Sequence, residues 1–131
     1  MKKKKKPKSR VKILNELWSE CIKLRAGYKS EISGIEGSVA AHHILGKSNH
    51  HLRFSLENGI CILNQVEHFF GIHSSDPLKV EIYRARIKRV RGEDIYDKLL
   101  PLKQRQDKLV LVEVEEILIA ELVRLKDELD T

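Results

Sequence analysis

Apolar residues recur at Val11, Leu14, Leu17, Trp18, Cys21 and Ile22, the spacing of one helical face, which predicts a helix over 11–24 ending near Gly27. From 28 to 59 the period is lost. Glycines stand at 34, 37, 46 and 59 among short apolar pieces, Ser38-Val39-Ala40-Ala41 and His43-Ile44-Leu45, a pattern that predicts turns and two short strands. The run Gly59-Ile60-Cys61-Ile62-Leu63 reads as a strand end, and Asn64 as the cap of a short helix carrying Val66 to Phe70. Beyond Asp76-Pro77, where proline suits a first turn, 78–90 reads as helical. A last helix over 108–129 repeats Leu111, Val114, Leu118, Leu122, Leu125 and Leu129 at nearly heptad spacing. Its apolar stripe must be buried, either on the domain or on a second copy, so a homodimer through this helix is an open alternative. The expected class is α+β and mostly helical. One domain is expected overall, with a basic disordered tail at 1–10, a core at 11–78 and a C-terminal helical extension at 79–131.

A chain of 131 residues is the size of one such domain. No apolar run approaches the roughly 18 residues of a membrane span, and no apolar stretch follows the basic N-terminus as a secretory signal requires. A cytoplasmic protein is expected. Cys21 and Cys61 have no CxxC spacing, so they read as reduced, buried residues rather than a disulfide or a four-cysteine zinc site. The net charge of +6 is unevenly placed: residues 1–12 hold eight basic side chains and no acid, which leaves the remainder slightly acidic. Such a tail suits attraction to phosphates through counterion release, although a plain solvated tail has the same composition. Residues 79–105 carry a net +5, making Arg84 and Lys88 candidate phosphate contacts, with an ordinary solvated helix as the equal alternative. The last helix is acidic.

Four of the six histidines form two groups, His42 with His43 and His68 with His73. His50 and His51 lie in the loop between and read as solvated. Neighbours on a regular strand point to opposite faces, so a bend or a strand end is needed for both His42 and His43 to serve one site. One imidazole can then ligate a metal while the other accepts a proton at neutral pH. A metal at such a site would supply the positive charge that phosphodiester hydrolysis needs.

In order and context, Ala41-His42-His43-Ile44-Leu45-Gly46, Leu52-Arg53-Phe54-Ser55-Leu56-Glu57-Asn58-Gly59-Ile60, then His68 and His73-Ser74-Ser75-Asp76-Pro77 resemble the HNH endonucleases, especially small phage-type ones. The resemblance covers about residues 18–78. It implies a ββα-metal finger, flanked here by the N-terminal and C-terminal helices, and a metal-dependent DNA nuclease in the cytoplasm of a bacterial host or phage-infected cell. His42 matches the first metal ligand, His43 the general base, and Asn58 the asparagine that holds the base-bearing loop, although Asn58-Gly59 alone reads as an ordinary turn. His68 matches the helix histidine that completes the metal site. His73 resembles the last histidine, but the family commonly spaces the two by four residues and this chain by five, a rotation of about 100° on an ideal helix. Lys47 and Arg53 are candidate phosphate contacts.

Many relatives also carry two CxxC pairs that bind a structural zinc. The matching positions here are Ser30 and Ser33, then Asn64 and Glu67, which are poor zinc ligands as a set. No structural zinc is expected, and packing by Trp18, Ile32, Ile35, Leu63, Val66, Phe69 and Phe70 is expected to take its place. The expected cofactor is one divalent ion, Mg, Mn, Ni or Zn, and the expected partner is DNA. The alternative is a catalytically degenerate relative that serves as a DNA-binding or assembly module.

Overall fold

A computed structural model describes residues 8–130. Helix α1 runs Arg10–Arg25, with Ser9 as its cap accepting from the Lys12 amide. Of the residues expected in the tail, Arg10 therefore begins this helix and Ser9 caps it, while Lys8 just before them pairs with Glu16 and Arg10 with Glu115. The rest of the expected tail lies outside the described residues. Strand β1 is Val39–His43 and strand β2 Gly59–Leu63, paired antiparallel from Val39 opposite Leu63 to His43 opposite Gly59. Between them come a short helix α2, His50–Arg53, and a single turn at Leu56–Asn58. The chain then forms a π-helix, Asn64–Ile72, followed by α3 at Pro77–Arg91, α4 at Ile95–Gln104 and α5 at Leu111–Leu129.

The architecture is α+β with a two-stranded sheet between two helical layers. On one face Cys61 joins Leu14, Trp18, Cys21 and Ile22 of α1, Phe54, and Val114 and Leu118 of α5, with Val39 and Ala41 packed against them. On the other face Ile60 and Ile62 join Ile44, Ile87, Ile95 and Leu99 from the loop after β1, α3 and α4. This is the alternation a strand covered on both sides must show. Cys21 and Cys61 are free and buried, and burial pushes both thiols up to about 11. No described helix is long and apolar enough to cross a membrane.

Several local expectations change. The piece 43–45 is no second strand; β1 carries both histidines to its end, and Ile44 already turns into the loop. Helix α4 was not expected from the sequence, although Ile95, Leu99 and Leu102 recur on one of its faces; it is short and carries Pro101 inside it. His51 is buried, with Nε2 bonded to the Asp107 carbonyl at 2.8 Å, whereas only His50 fits the solvated reading. The C-terminal helix buries Val114, Leu118 and Leu125, the first two against α1.

A hydrogen-bonded cluster joins the turn at 30–33 to Glu67 of the π-helix. Ser30 Oγ donates to Glu67 Oε1 at 2.5 Å and accepts from the amides of Ile32 and Ser33, while the Leu63 amide also donates to Glu67. Both side chains are buried, at 2% and 3% exposure. The expected apolar packing is formed only in part: Trp18 is buried and Ile32 packs on the second core, but Ile35, Val66, Phe69 and Phe70 are all more than half exposed. Polar groups therefore tie the turn at 30–33 to the π-helix, because a buried carboxyl that gathers two donors satisfies itself as apolar packing cannot. Glu67→Ala removes both bonds and orphans buried donors, so it is expected to lower unfolding stability by about 2 kcal/mol, read from urea denaturation. An unchanged midpoint would contradict this role.

Candidate functional site

The end of β1 divides the two histidines without any bend. His42, opposite Ile60 on the strand pair, turns toward the π-helix, while His43, opposite Gly59, turns toward α1. A Cβ on Gly59 would come within 2.2 Å of Ile22 and 2.9 Å of Trp18, so glycine is what lets α1 close on the strand here. Trp18 consequently lies flat on the His43 ring, with centroids 3.9 Å apart and planes 5° from parallel, and its Nε1 donates to the Ser55 carbonyl.

His43 Nε2 lies 3.0 Å from the Arg53 carbonyl oxygen. A carbonyl only accepts, so Nε2 carries the proton and Nδ1 keeps its lone pair. The loop presenting Arg53 is fixed by Asn58, fully buried, whose Oδ1 accepts from the Leu45 amide and whose Nδ2 donates to the carbonyls of Gly46 and Leu52. Three of the four bonds its amide can make are thus accounted for. Asn58 is not a hairpin turn residue but the tie between β2 and the 44–52 loop. That loop turns at Gly46, whose φ of +82° suits glycine.

His42 meets His68 and His73 in one cluster. Ring centroids are 5.3 Å apart for His42 and His68, 5.4 Å for His42 and His73, and 4.6 Å for His68 and His73. One nitrogen from each ring falls within 4.8 Å of the others. The five-residue spacing expected to turn His73 away does the reverse, because the segment is wound with i→i+5 hydrogen bonds: the His73 amide donates to the His68 carbonyl at 2.9 Å. Residues five apart then stack on one face. Such π-windings are rare and frequent at functional sites.

A cleft of about 330 Å³ is lined by Ala41, His42, His43, Gly46, Lys47, His68 and His73. Both halves of the histidine pair therefore open onto one space. Lys47 stands in its wall, and Lys47 and Arg53 are near enough to press on the His43 charge. Arg84 reaches an adjoining cleft that shares His42, His43 and His73, and Lys103, which the sequence did not single out, lines it too. Lys88 lines neither of these clefts but a third, with Arg84, Glu93 and Tyr96, its Nζ 5.9 Å from the centre of the Tyr96 ring.

Burial, reinforced by the positive charge that His68, His73 and His43 would carry, holds His42 down at about 3 from its ordinary 6.5. Burial likewise lowers His43 and His68. Of the rings in the cluster, His42 and His68 are therefore neutral at neutral pH, the state a metal ligand requires. His68 Nδ1 is buried without a hydrogen-bond partner, a costly condition for a ring nitrogen. A cation is the partner this donor set fits: three imidazoles suit Zn or Ni, with room for a further ligand.

Compared with known proteins, the chain matches no family model, no curated protein and no solved structure.

The depressed histidines have a consequence for the metal-free protein. Above about pH 6.5 folded and unfolded chains are both neutral at these rings; below it the unfolded chain takes up protons that the folded rings refuse, down to the His42 value of about 3. Melting temperature is therefore expected to fall from about pH 6.5 to about pH 5, and to fall less in His42→Gln. Equal slopes for the two proteins would contradict the buried neutral cluster.

Proposed function

We propose that this protein is an HNH-type, metal-dependent DNA endonuclease, with His43 as general base and a divalent ion held by His42, His68 and His73. The observation that carries the reading is the opening of an oriented base and a three-imidazole cluster onto the same cleft. The order of these residues is the order on which the HNH resemblance rests. The ββα-metal finger corresponds to β1, β2 and the π-helix.

His43 is held from two sides, by the Trp18 ring and by the Arg53 carbonyl, and this leaves Nδ1 to take the proton of an attacking water. Asn58 acts as a positioning residue, since it fixes the loop whose carbonyl sets the tautomer. Lys47 in the wall of the cleft, Arg84 in the adjoining one and Arg53 near His43 supply positive charge for the DNA backbone, with Lys88 in the neighbouring cleft that Arg84 also lines. When bound, the ion, Zn, Ni, Mn or Mg, supplies electrophilic stabilisation of the charge that develops on phosphate and leaving oxygen. The resemblance implies a 3′ hydroxyl and a 5′ phosphate as products.

The test is nicking of supercoiled plasmid by purified protein with each metal in turn. His43→Ala is expected to lower the rate by about two to four orders of magnitude while plasmid binding persists. If no metal supports nicking above the variant, the enzyme reading falls and a noncatalytic DNA-binding module replaces it.

A further inference from the structure

The π-helix is inverted relative to an ordinary amphipathic helix. It buries Glu67 and Gly71 and exposes Val66, Phe69 and Phe70, at 61%, 56% and 65%. The chain has three phenylalanines, and the third, Phe54, is in the core, so two of the three face solvent side by side. Isolated exposed apolar residues are common, but a contiguous patch beside a candidate active site marks an interaction surface.

The patch is held firmly. A Cβ on Gly71 would stand 2.5 Å from the Tyr83 ring, so glycine allows the π-helix to press against α3, while Glu67 anchors its other side to Ser30. Its surroundings select a partner. The Phe69 ring lies 5.1 Å from His68, itself in the imidazole cluster. On the far side Tyr83 reaches the Val66 carbonyl, and the Arg86 guanidinium lies 4.8 Å over the Tyr83 ring. Helix α3 carries six basic side chains and one acid. Aromatic faces interleaved with cations beside a phosphate-directed cleft are the chemistry of base stacking on a nucleic-acid strand.

We infer that Phe69 and Phe70 form a stacking platform for bases of the strand whose backbone enters the histidine cleft, so that the preferred substrate is DNA with unstacked bases, single-stranded or branched, over intact duplex. The inference rests on the nucleic-acid half of the proposed function. A base pair inside a duplex is covered on both faces by its neighbours, so a flat ring reaches a base face only after unstacking, which has its own cost. A strand with bases already free avoids that cost.

Binding is measured by fluorescence anisotropy in EDTA, with the full chain and a fluorescein-labelled oligonucleotide, single-stranded or annealed to its complement. The variants are the Phe69→Ala, Phe70→Ala double substitution and Phe70→Trp, each checked by circular dichroism. Wild type is expected to prefer the single strand; the double variant loses about tenfold on it and much less on duplex. Phe70→Trp keeps the affinity, and its indole emission, read as the difference from wild type carrying Trp18 alone, is quenched by the oligonucleotide. Equal losses on both substrates, no loss, unquenched emission, or no binding of either oligonucleotide by wild type each overturns the platform. Because the assay has no metal and no cleavage, a platform that survives beside an absent His43-dependent nicking activity separates failure of the enzyme reading from failure of this one.

Discussion

Antiparallel pairing of Val39–His43 with Gly59–Leu63 forces neighbouring side chains to opposite faces of the sheet, and the site depends on that constraint. Two adjacent histidines in a helix or a mobile loop would compete for the same surroundings. At the end of a strand covered on both sides they are separated: His42 among imidazoles, His43 against Trp18. The register makes the separation exact to the residue, since a slip of one position would exchange their faces and move Cys61 and Ile60 to the wrong cores.

The register is secured at the base of the strands. Asn58 ties the loop after β1 to the residue before β2, and Gly59 admits Trp18 beside His43. Arg25 and Arg91 both donate to the Gly59 carbonyl, and Glu31 bridges Arg91 to the Cys61 amide. Each of these polar groups is partly or wholly withdrawn from water, so each would be costly if its partner moved. Stability of the strand pair and orientation of the two rings thus have the same origin. On the opposite side, the Ser30 and Glu67 cluster fixes the π-helix that carries His68 and His73.

Much of this was legible in the sequence, for definable reasons. Helices α1, α3 and α5 follow apolar periods that sequence displays directly, and the strand, loop, strand, helix order follows from glycine placement and short apolar runs. That His42, His43, Asn58 and His68 would share one site was an expectation of the HNH resemblance, since Asn58-Gly59 alone reads as an ordinary turn. The i→i+5 winding was not expected, because a single added residue between His68 and His73 looks like a loss of register unless the backbone absorbs it. The buried glutamate was not expected either: Glu67 reads as a surface residue until Ser30, distant in sequence, brings it a donor. The same substitution of polar tie for apolar packing explains why Phe69 and Phe70, assigned to the core from their hydrophobicity, stand in solvent. His51 was misplaced for a related reason, its partner being the Asp107 carbonyl far along the chain.

The proposed division of labour assigns an ion to His42, His68 and His73 and leaves His43 beside them unligated. The most direct measurement is a crystal structure of the protein grown with Zn or Ni, with anomalous scattering collected at the metal edge. One anomalous peak is predicted, at roughly 2.0–2.1 Å from a nitrogen of each of the three rings, with His43 Nε2 still on the Arg53 carbonyl and Nδ1 facing the cleft. A peak ligated by His43, or no peak among His42, His68 and His73, would contradict the account.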